Sequence, residues 1–527
     1  MYKRTLLFLT AISLTLTLSA LDLYVSPTRG NDANNGSFAT PLKRIETAIF
    51  SVKDNVQTTI HIENNSTIVL NAILNLGDNK KVEIIGNNVI LKASLLPAQK
   101  DPSGLPLTGQ GNRILNAGLN CNVKIKGITF QNGRQIGYIM GGAICFAGKT
   151  LEVDSCRFID NQAGSCGGAI GSRGDSVIVK NSYFEGNNIL GGGARGAAIT
   201  QCGSPTGTPG TLTVQNCTFY HNMTQHDGYG FVINIYDSSL GTDGGKYTNI
   251  NKIEVTNCTF LENSSVTAYM AAIDISDGSC NAYLVNNTFY NNTDCAFRLG
   301  QNNTYLANNV IIGGKQGVMA DLNVADGRPE IVGLNNIIVS TEGGINQNID
   351  DACFTTNKTT SQNIVSSISS YPLSNIGLAT SLSTDNFVPY LTITSASSQL
   401  IDAGTDNTSV LFGANYVMGV DTRGRETNVR KDIGAYEYNG FIPAPNGLPL
   451  QKYVSDDYSI SQSGGILKIQ NNIEKSFTLS LVNITGKVIF TDKVISSCSI
   501  NKNLYRQGVY ILLLNDGSKI STKKVIF

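Results

Sequence analysis

The sequence predicts an all-β chain in which a parallel β-helix, a solenoid of stacked coils, is followed by a small β-sandwich. Three observations predict it: a phenylalanine-asparagine motif repeats through the middle of the chain, a glycine motif repeats between its copies, and charge is sparse. The 527 residues include 54 glycines, and only 15% are charged. Helical bundles use more Ala, Glu, Lys and Leu, so this composition indicates many turns between short strands.

Charge and rare residues exclude several classes of function. Lys and Arg total 39, as do Asp and Glu, which leaves no net charge and no basic footprint for nucleic acid. The three histidines, His61, His221 and His226, are too few for a multi-histidine metal centre. General-base chemistry would therefore rest mostly on carboxylates, Lys or Arg.

Residues 1–20 are predicted to be a secretory signal peptide. Lys3 and Arg4 precede an apolar run over residues 6–18, and the small residues Ser19 and Ala20 follow it. The run is too short to span a membrane comfortably, and no later stretch reaches about 18 continuous apolar residues. We therefore expect an exported chain with no transmembrane segment.

Residues 22–54 are predicted to cap the N-terminal end of the solenoid. A strand and a glycine-rich turn lead into a helix with Thr40 as N-cap and Pro41 as its first residue. Such a helix covers the open end of the core, which would otherwise expose a pairing edge. The apolar stripe of this helix consists of Leu42, Ile45, Ile49 and Val52.

The strongest signal is the repeat that follows. Successive phenylalanines lie 26 to 41 residues apart, a period typical of solenoids. Each unit reads as short alternating strands with Asn and Gly corners, and two or three such strands per turn predict a parallel β-helix with coils about 4.8 Å apart. The Phe-x-x-Asn copies are Phe158/Asn161, Phe184/Asn187, Phe219/Asn222, Phe260/Asn263 and Phe289/Asn292, with a weaker copy at Phe130. The Gly-Gly-Ala-Ile copies begin at Gly141, Gly167 and Gly196, with a degraded copy at Ala271.

The repeat assigns roles to three residue types. Asparagine after phenylalanine suits a corner whose side-chain amides hydrogen-bond along the solenoid, and glycine supplies positive φ at a tight bend. Cys156, Cys217 and Cys258 each precede a repeat phenylalanine by two residues, so they are predicted to face inward with it as small core residues. Whether the other eight of the 11 cysteines form disulfides stays open.

These motifs resemble those of right-handed parallel β-helix surface proteins, including polymorphic outer-membrane proteins and pectate-lyase-like bacterial proteins. Residues 23–36 are similar to the opening of many secreted bacterial β-helices. Farther on, Ile401-Asp-Ala-Gly404 and Asp432-Ile-Gly-Ala-Tyr-Glu437 resemble the closing segment of the "choice-of-anchor Q" group. The resemblance implies a right-handed parallel β-helix over residues 22–440, closed by residues 400–438.

The charged residues of the closing segment are interpreted as structural. A carboxylate at a turn commonly accepts nearby backbone N–H groups, and Arg423 or Arg425 can pair with Asp432 or Glu437. The acidic residues at its glycine-containing turns are Asp402, Asp421 and Asp432.

Residues 441–452 have the composition of a Pro/Gly linker, and residues 453–527 predict a small Ig-like β-sandwich. Asn483-Ile-Thr-Gly-Lys487 and the terminal Lys523-Lys-Val-Ile-Phe527 resemble the C-terminal sorting domain of type IX secretion cargo in Bacteroidetes. The Asn-Pro usual at its start is replaced by Ser463-Gly464-Gly465. The resemblance implies the type IX secretion machinery as partner and a secreted or outer-surface location. The alternative is an ordinary Ig-like binding module.

A register argument yields the candidate binding residues. Aligning the isoleucines of the glycine motifs places one polar residue per coil outward on one strand face, with Arg173 and Tyr236 two residues farther along. These outward residues are Thr200, Asn234, Asp274 and Arg298. An Asp274–Arg298 ion pair is expected, and Tyr236 would offer an apolar face to an extended sugar chain.

Asp237 and Asp277 fall in register as well, and their carboxylates suggest a Ca²⁺ site. The alternative for the whole stripe is ordinary solvated surface, because exposed ion pairs are common and contribute little.

Known catalytic signatures of β-helix enzymes are incomplete. A polygalacturonase-like site is matched in part by Asn292-Thr-Asp294 and Asp350-Asp351, but its Gly-His-Gly and Arg-x-Lys motifs are missing. The Trp-Ile-Asp-His signature of pectate lyases needs tryptophan, which the chain lacks. The sequence therefore favours a non-enzymatic surface or secreted protein for adhesion or glycan binding. A polysaccharide lyase or glycoside hydrolase acting on an acidic polysaccharide is the alternative, because fold alone does not assign chemistry.

Overall fold

In this computed structural model, parallel strands of successive coils stack to form the three faces of a solenoid. A small β domain follows in the chain. Contacts within the chain divide it into Met1–Phe441 and Ile442–Phe527. The predicted fold class, an all-β solenoid with a short capping helix and a C-terminal β domain, is confirmed. The predicted linker and all but the last residue of the predicted signal peptide lie outside the described residues. The described residues are 20–94, 112–135, 140–191, 193–204, 208–225, 228–236, 250–266, 270–277, 280–300, 303–320, 330–342, 363–404, 421, 431–439, 453–454, 458–463, 466–471, 476–483, 488–494, 497–501, 509–515 and 520–526.

Each coil passes through a first face and then a second face, and the two faces form one 20-stranded sheet because two long strands belong to both. Strands Lys81–Ala93 and Asn122–Gln131 run through both faces without a break. The other strands of the first face are Leu21–Val25, Gln57–Ile62, Thr150–Asp154, Ser176–Lys180, Gly210–Gln215, Ile250–Thr256, Asn281–Val285, Asn303–Ala307 and Glu330–Leu334. Those of the second face are Thr67–Leu70, Arg157–Ile159, Tyr183–Glu185, Thr218–Tyr220, Thr259–Leu261, Thr288–Tyr290, Val310–Ile312, Ile337–Ser340 and Ile364–Ser367.

The third face completes the coil after a short connecting sheet. Its pairings are parallel, as on the other two faces. The connecting sheet consists of Arg134–Gln135, Gln162–Ala163, Asn188–Ile189, Met223–Thr224 and Ser264–Ser265. The third face consists of Leu74–Asn75, Leu115–Ala117, Ile144–Phe146, Ile170–Ser172, Ala194–Arg195, Ile199–Cys202, Gly228–Tyr236, Ala271–Asp277, Cys295–Leu299 and Gln316–Ala320.

The repeat phenylalanines form one stack through the core, as the period predicts. Neighbouring rings from Phe130 to Phe289 are nearly parallel, with centroids 4.4 to 5.1 Å apart. All six rings are at most 1% exposed. The stack follows from the coil spacing, because residues in register on parallel strands lie one above another.

The asparagine of each repeat forms the predicted ladder. The Asn187 side-chain N–H donates to Asn222 Oδ1 at 2.9 Å, and Asn222 donates in turn to Asn263 at 2.9 Å. Each amide also donates to the carbonyl of a repeat phenylalanine, as Asn222 does to Phe184 at 3.0 Å. Because every donor and acceptor is paired, these buried amides stabilise the corner.

A second ladder occupies the corner between the first and second faces, where the predicted inward cysteines lie. Cys156, Cys217 and Cys258 are fully buried, which confirms that prediction. In the next coil Asn287 replaces the thiol, and its Oδ1 accepts the Cys258 N–H at 3.0 Å. Asparagines continue this ladder through Asn309, Asn336 and Asn363.

Positive φ at the coil corners belongs to both glycine and asparagine. Gly141 has φ +77°, and a methyl group on its Cα would lie 2.2 Å from the Ile144 carbonyl oxygen, so only glycine fits there. Asparagine, which tolerates the left-handed region, precedes the ladder residue at the first corner. The asparagines in question are Asn181, Asn216, Asn257, Asn286, Asn308 and Asn335.

The N-terminal helix is shorter than predicted. It spans Ile45–Phe50 and has Arg44 as N-cap, so the assignment of Thr40 as N-cap and Pro41 as first residue is wrong. The Thr40 hydroxyl instead bonds within the preceding turn, and Asp32 Oδ1 accepts the Arg44 N–H at 2.9 Å. The residues of the predicted apolar stripe are nevertheless buried, as expected. They are Leu42, Ile45, Ile49 and Val52.

The chain after the last coil lies against the outer side of the second face. The Thr218 hydroxyl donates to the Pro389 carbonyl, and Thr288 Oγ1 accepts the Ala435 N–H at 2.9 Å. A 3₁₀ helix at Leu373–Asn375 belongs to this segment. Because the segment buries Thr218 and Thr288, the second face is covered there.

Carboxylates hold the closing turns together through backbone N–H groups, as predicted. Asp432 Oδ1 accepts the Asp402 N–H at 2.7 Å, and its other oxygen accepts the Tyr438 N–H. Asp421 Oδ2 accepts the Glu437 N–H at 3.2 Å. The predicted structural role is therefore confirmed for the carboxylates of Asp421 and Asp432, and Asp402 contributes its backbone N–H to the same network.

The ion pair of the closing segment differs from the expected one. Glu437 Oε1 lies 3.3 Å from Lys431 Nζ, and both side chains are nearly fully buried. Arg423 and Arg425, the expected partners, lie outside the described residues.

The buried carboxylates predict that stability falls as pH rises. Burial raises the pKa of Glu437 from 4.5 to about 7 and that of Asp432 from 3.8 to about 6. The folded state therefore holds protons that the unfolded state has released, so the stabilisation present below about pH 4 is lost as pH rises to about 7. We expect Glu437 alone to account for a loss on the order of 3 kcal/mol.

Denaturant midpoints followed by circular dichroism across this pH range measure the effect. Glu437→Gln, which cannot ionise, should show a shallower decline than the wild type. An unchanged pH slope in the variant would contradict the assignment.

The C-terminal domain consists of two four-stranded antiparallel sheets that share one core. Leu467 and Ile469 of one sheet pack in the same buried cluster as Leu479 and Leu512 of the other. This arrangement agrees with the predicted small β-sandwich. The first sheet consists of Tyr453–Val454, Tyr458–Ser463, Ile466–Asn471 and Ser497–Asn501, and the second of Phe477–Asn483, Val488–Val494, Val509–Asn515 and Ile520–Ile526.

Candidate functional site

The polar residues predicted from the register lie in adjacent strands of the third face. Thr200 pairs with Asn234, Asn234 with Asp274, and Asp274 with Arg298. The isoleucines that precede the first three residues belong to the core, so this outer ladder faces away from it. The predicted register of these four residues is therefore correct.

Their predicted outward exposure is wrong for three of the four. Thr200, Asn234 and Asp274 have no exposed surface, and only the Arg298 side chain reaches solvent, with 11% exposed. Backbone that precedes the ladder residue in the chain covers the ladder, as at Gly230, which stands three residues before Ile233 as Gly196 stands before Ile199. A methyl group on Gly230 would stand 2.8 Å from Asp274 Cβ and 3.1 Å from Asn234 Cβ.

The expected ion pair is present inside this layer. Arg298 Nη1 lies 3.4 Å from Asp274 Oδ2. Asp274 is fully buried, and the pair joins it to a residue of the next strand of the face. The pair therefore serves to hold adjacent coils together.

Asn234 contrasts with its neighbours. Neither its side-chain oxygen nor its side-chain nitrogen has a hydrogen-bond partner in the described part of the protein, although the residue is fully buried. An unpaired buried amide costs about 1 to 3 kcal/mol, and such groups mark strain, a bound water or a ligand contact. Asn234 thus offers both a donor and an acceptor beneath the third face.

The expected calcium residues are not aligned as predicted. Asp277 pairs with Tyr236, whereas the predicted partner was Asp237, the next residue. The difference arises because the register shifts after Asn234. Asp237 and the side chains of Tyr236 and Asp277 lie outside the described residues. Within the described part of the chain, no group of three His, Cys, Asp or Glu side chains could hold a metal ion. The calcium site stays a prediction.

Three thiols continue the outer surface of the third face toward the N-terminus. Cys145 occupies the ladder position two strands before Thr200. Cys166 and Cys202 pack together against Met140, with Cys145 at the edge of the cluster. These contacts bring residues from three successive coils into one patch.

The charges of three arginines act on these thiols, and we name the six residues the arginine–thiol cluster. Burial raises the pKa of the Cys145 thiol, whereas the charges of Arg113 and Arg173 act to lower it. Burial likewise raises the pKa of Cys166 against the charges of Arg195 and Arg173. The net shift keeps these thiols protonated and unreactive as nucleophiles. The cluster comprises Arg113, Cys145, Cys166, Arg173, Arg195 and Cys202.

Arg113 has only neutral partners in the described part of the chain. Its guanidinium donates to the carbonyl oxygens of Gly141 at 2.8 Å and Met140 at 2.6 Å, and to Asn116 Oδ1 at 3.3 Å. The residue is 6% exposed, and burial lowers its pKa. A buried cation without a carboxylate is costly, so an anion near it would be stabilised.

The first face has a different electrostatic character. Glu152 lies between Lys124 at 3.3 Å and Lys180 at 2.8 Å, and Lys252 pairs with Glu254 at 2.7 Å. Alternating charges neutralise one another there. Within the described residues the third face carries the three arginines of the arginine–thiol cluster, and in this sense we call it the cationic face.

Sequence reasoning placed Arg173 in the stripe but missed Arg113, Arg195 and the outer thiols. One signal was available, because Arg195 directly precedes the glycine motif at Gly196 and Cys145 directly follows the motif isoleucine. Arg113 has no comparable signal, since it lies before the first complete copy of the motif.

Comparison with known proteins bears on the C-terminal domain. Residues 463–527 match the family model of the secretion system C-terminal sorting domain. The protein is therefore exported to the cell surface or beyond, and its C-terminal domain interacts with the type IX secretion machinery. No helix in the described part of the chain is long and apolar enough to cross a membrane. None of the curated proteins matches this sequence.

Solved structures with a similar fold include three carbohydrate-active enzymes. Pectate lyase Pel9A is 14% identical with a TM-score of 0.33, over 81% of this chain and 98% of that one. A rhamnogalacturonan lyase is 12% identical with a TM-score of 0.25, over 61% of this chain and 82% of that one. The lacto-N-biosidase from Eubacterium ramulus is 10% identical with a TM-score of 0.20, over 59% of this chain and 65% of that one. Similarity at this level carries no statement about activity.

Proposed function

We propose that this exported protein is a non-enzymatic, adhesin-like protein that binds an acidic polysaccharide on its third face. The observation that carries the proposal is Arg113, a buried guanidinium whose described partners are all neutral oxygens. A uronate carboxylate near the arginine–thiol cluster would supply the missing negative charge, and charge-assisted hydrogen bonds to arginine are strong and geometrically specific.

The arrangement of the cluster suits an extended ligand. Arg173 and Arg195 are half-buried and belong to successive coils of the third face, which repeat about every 4.8 Å. The two arginines occupy different positions along the coil, because Arg195 aligns with Cys166 whereas Arg173 follows the strand Ile170–Ser172, so a ligand that contacts both has to be extended. The guanidinium of Arg298, which is 11% exposed, lies farther along the same face toward the C-terminal coils, and the amide of Asn234 lies buried beneath it.

Binding is favoured over catalysis by the state of the ionisable groups. Asp274, the carboxylate of the outer ladder, is buried and paired with Arg298, so it is poorly placed to exchange protons with a substrate. The thiols of the cluster are held protonated by burial. Within its described residues, the third face thus offers arginine guanidinium groups for recognition, whereas its carboxylate Asp274 and the cluster thiols are buried.

Binding of the purified full-length chain to polygalacturonate, with neutral amylose as comparison, tests the proposal. We expect saturable binding of polygalacturonate that weakens with added salt, and at least tenfold weaker binding by the double variant Arg173→Gln/Arg195→Gln, equivalent to about 1.4 kcal/mol.

Arg157→Gln provides the matched control. Arg157 lies on the second face, where its guanidinium contacts the Tyr183 and Phe387 rings, so its loss should leave polysaccharide binding unchanged. Equal weakening by the control and the double variant would contradict the third-face assignment. Appearance of unsaturated uronide absorbance would overturn the non-enzymatic assignment in favour of a polysaccharide lyase.

A further inference from the structure

A cleft near the N-terminal cap has features of a second binding site, separate from the third face. It has a volume of about 450 Å³ and is lined by residues at the ends of the strands Leu21–Val25 and Gln57–Ile62, by residues 85–87 of the next strand, and by the turn that joins the first strand to the helix. This volume falls within the range of small-molecule sites. The side chains that matter for the argument are Tyr24, Arg29, Phe38, His61, Glu63 and Asn64.

Aromatic side chains form one wall of the cleft. The Tyr24 ring stacks on His61 with centroids 4.6 Å apart, and Phe38 meets Tyr24 edge to face at 5.3 Å. Phe38 is 66% exposed, although it contacts the guanidinium of Arg29. The contacts with Tyr24 and Arg29 hold the exposed ring of Phe38 beside a polar surface. An exposed aromatic ring in such a position can pack against the C–H face of a sugar ring.

A fixed carboxylate faces this wall. Glu63 accepts hydrogen bonds from the Ser26 hydroxyl at 2.8 Å and the Thr28 hydroxyl at 2.9 Å. These bonds lower the pKa of Glu63, so the carboxylate stays ionised in mildly acidic solution. A carboxylate has about four acceptor sites, and the two hydroxyls leave capacity for ligand O–H groups.

We propose that this N-terminal cleft binds a neutral pyranose residue, either alone or at the end of a glycan chain. The ring would pack on Phe38 and Tyr24, and its hydroxyl groups would donate to Glu63. The ligand is neutral rather than acidic because the Glu63 carboxylate and the Arg29 guanidinium that line the cleft are opposite in charge and interact with each other, so the cleft has no surplus positive charge to bind a uronate. The site therefore differs from the cationic third face in the charge of its ligand.

Ligand-observed NMR titration of the full-length chain tests this inference. The probes are the methyl glycosides of glucose, galactose and mannose, each compared with glucuronic or galacturonic acid. We expect saturable binding of at least one neutral glycoside with a dissociation constant on the order of 1 mM, and weaker binding of the uronic acids. Phe38→Ala should weaken the binding about tenfold, and Glu63→Gln about fivefold.

Phe50→Ala is the matched control, because Phe50 is also an exposed phenylalanine of the cap region, 92% exposed, but does not line the cleft. Unchanged binding in this control supports the site. The inference is overturned if no neutral glycoside binds, if the uronic acids bind as well as the neutral sugars, or if Phe50→Ala and Phe38→Ala weaken binding equally. These outcomes leave polygalacturonate binding by the third-face arginines unaffected, so the two proposals can fail independently.

Discussion

Replacing Asn222 with alanine is expected to lower the free energy of unfolding by about 4 kcal/mol, because it interrupts the buried amide ladder at its centre. Asn222 Oδ1 accepts the backbone and side-chain N–H groups of Asn187, and its own amide donates to the Phe184 carbonyl and Asn263 Oδ1. Alanine removes all of these bonds at once. Since Asn222 is fully buried, water cannot replace them without opening the corner.

Denaturant unfolding followed by circular dichroism measures this effect. Asn303→Ala is the matched control, because Asn303 forms an exposed amide pair with Asn281 at 3.2 Å in the same solenoid. We expect the control to lose less than about 0.5 kcal/mol, as for most surface substitutions. Similar losses in both variants would show that the buried ladder does not stabilise the coils.

Phe219→Ala is expected to lower the free energy of unfolding by about 3 to 5 kcal/mol. The Phe219 ring is fully buried and lies between Phe184, 4.9 Å away, and Phe260, 4.8 Å away. Alanine would leave a cavity that the rigidly spaced coils cannot close, since the strands above and below are fixed by their backbone ladders.

Phe219→Leu and Phe50→Ala accompany this variant. Leucine retains most of the buried volume, so its loss should be less than half that of alanine, and this variant remains measurable if Phe219→Ala does not fold. Phe50 is 92% exposed, and its replacement should change stability by less than about 0.5 kcal/mol. A loss below about 1 kcal/mol for Phe219→Ala would contradict a continuous aromatic stack.

The ladders could be predicted from the sequence because the coil geometry repeats. A strand period of two and a fixed coil spacing force Phe158 above Phe130 and Asn187 above Asn161 once the motif is recognised. The same reasoning aligned Asp274 with Arg298 across a loop whose length could vary. Register is robust here because a one-residue slip would turn the core isoleucines outward.

Burial of the outer ladder could not be predicted from the same pattern. Alternation distinguishes the two sides of a strand, but it does not say whether backbone from another part of the coil covers the outer side. Gly230 covers Asn234 and Asp274 because glycine has no side chain to prevent the approach. The register shift that separates Asp237 from Asp277 could not be predicted either, because an irregularity in strand pairing does not change the alternation of apolar and polar residues in the sequence.

The arginine–thiol cluster was missed for a related reason. Its members come from different positions of four coils: Arg113 lies just before the strand Leu115–Ala117, and Arg195 belongs to the short strand Ala194–Arg195 that precedes Ile199–Cys202. The N-terminal helix shows the limit of capping rules as well. Thr40 and Pro41 match the usual pattern, but Asp32, distant by 12 residues from Arg44, fixes the entry to the helix.

A crystal structure of the full-length protein with an oligogalacturonate tests the central claim most directly, because it shows both where the ligand lies and whether it is intact. We predict an uncleaved oligosaccharide along the third face, with its carboxylates within hydrogen-bond distance of Arg173 and Arg195. An oligosaccharide bound along the first face, or one cleaved to an unsaturated product, would contradict the claim.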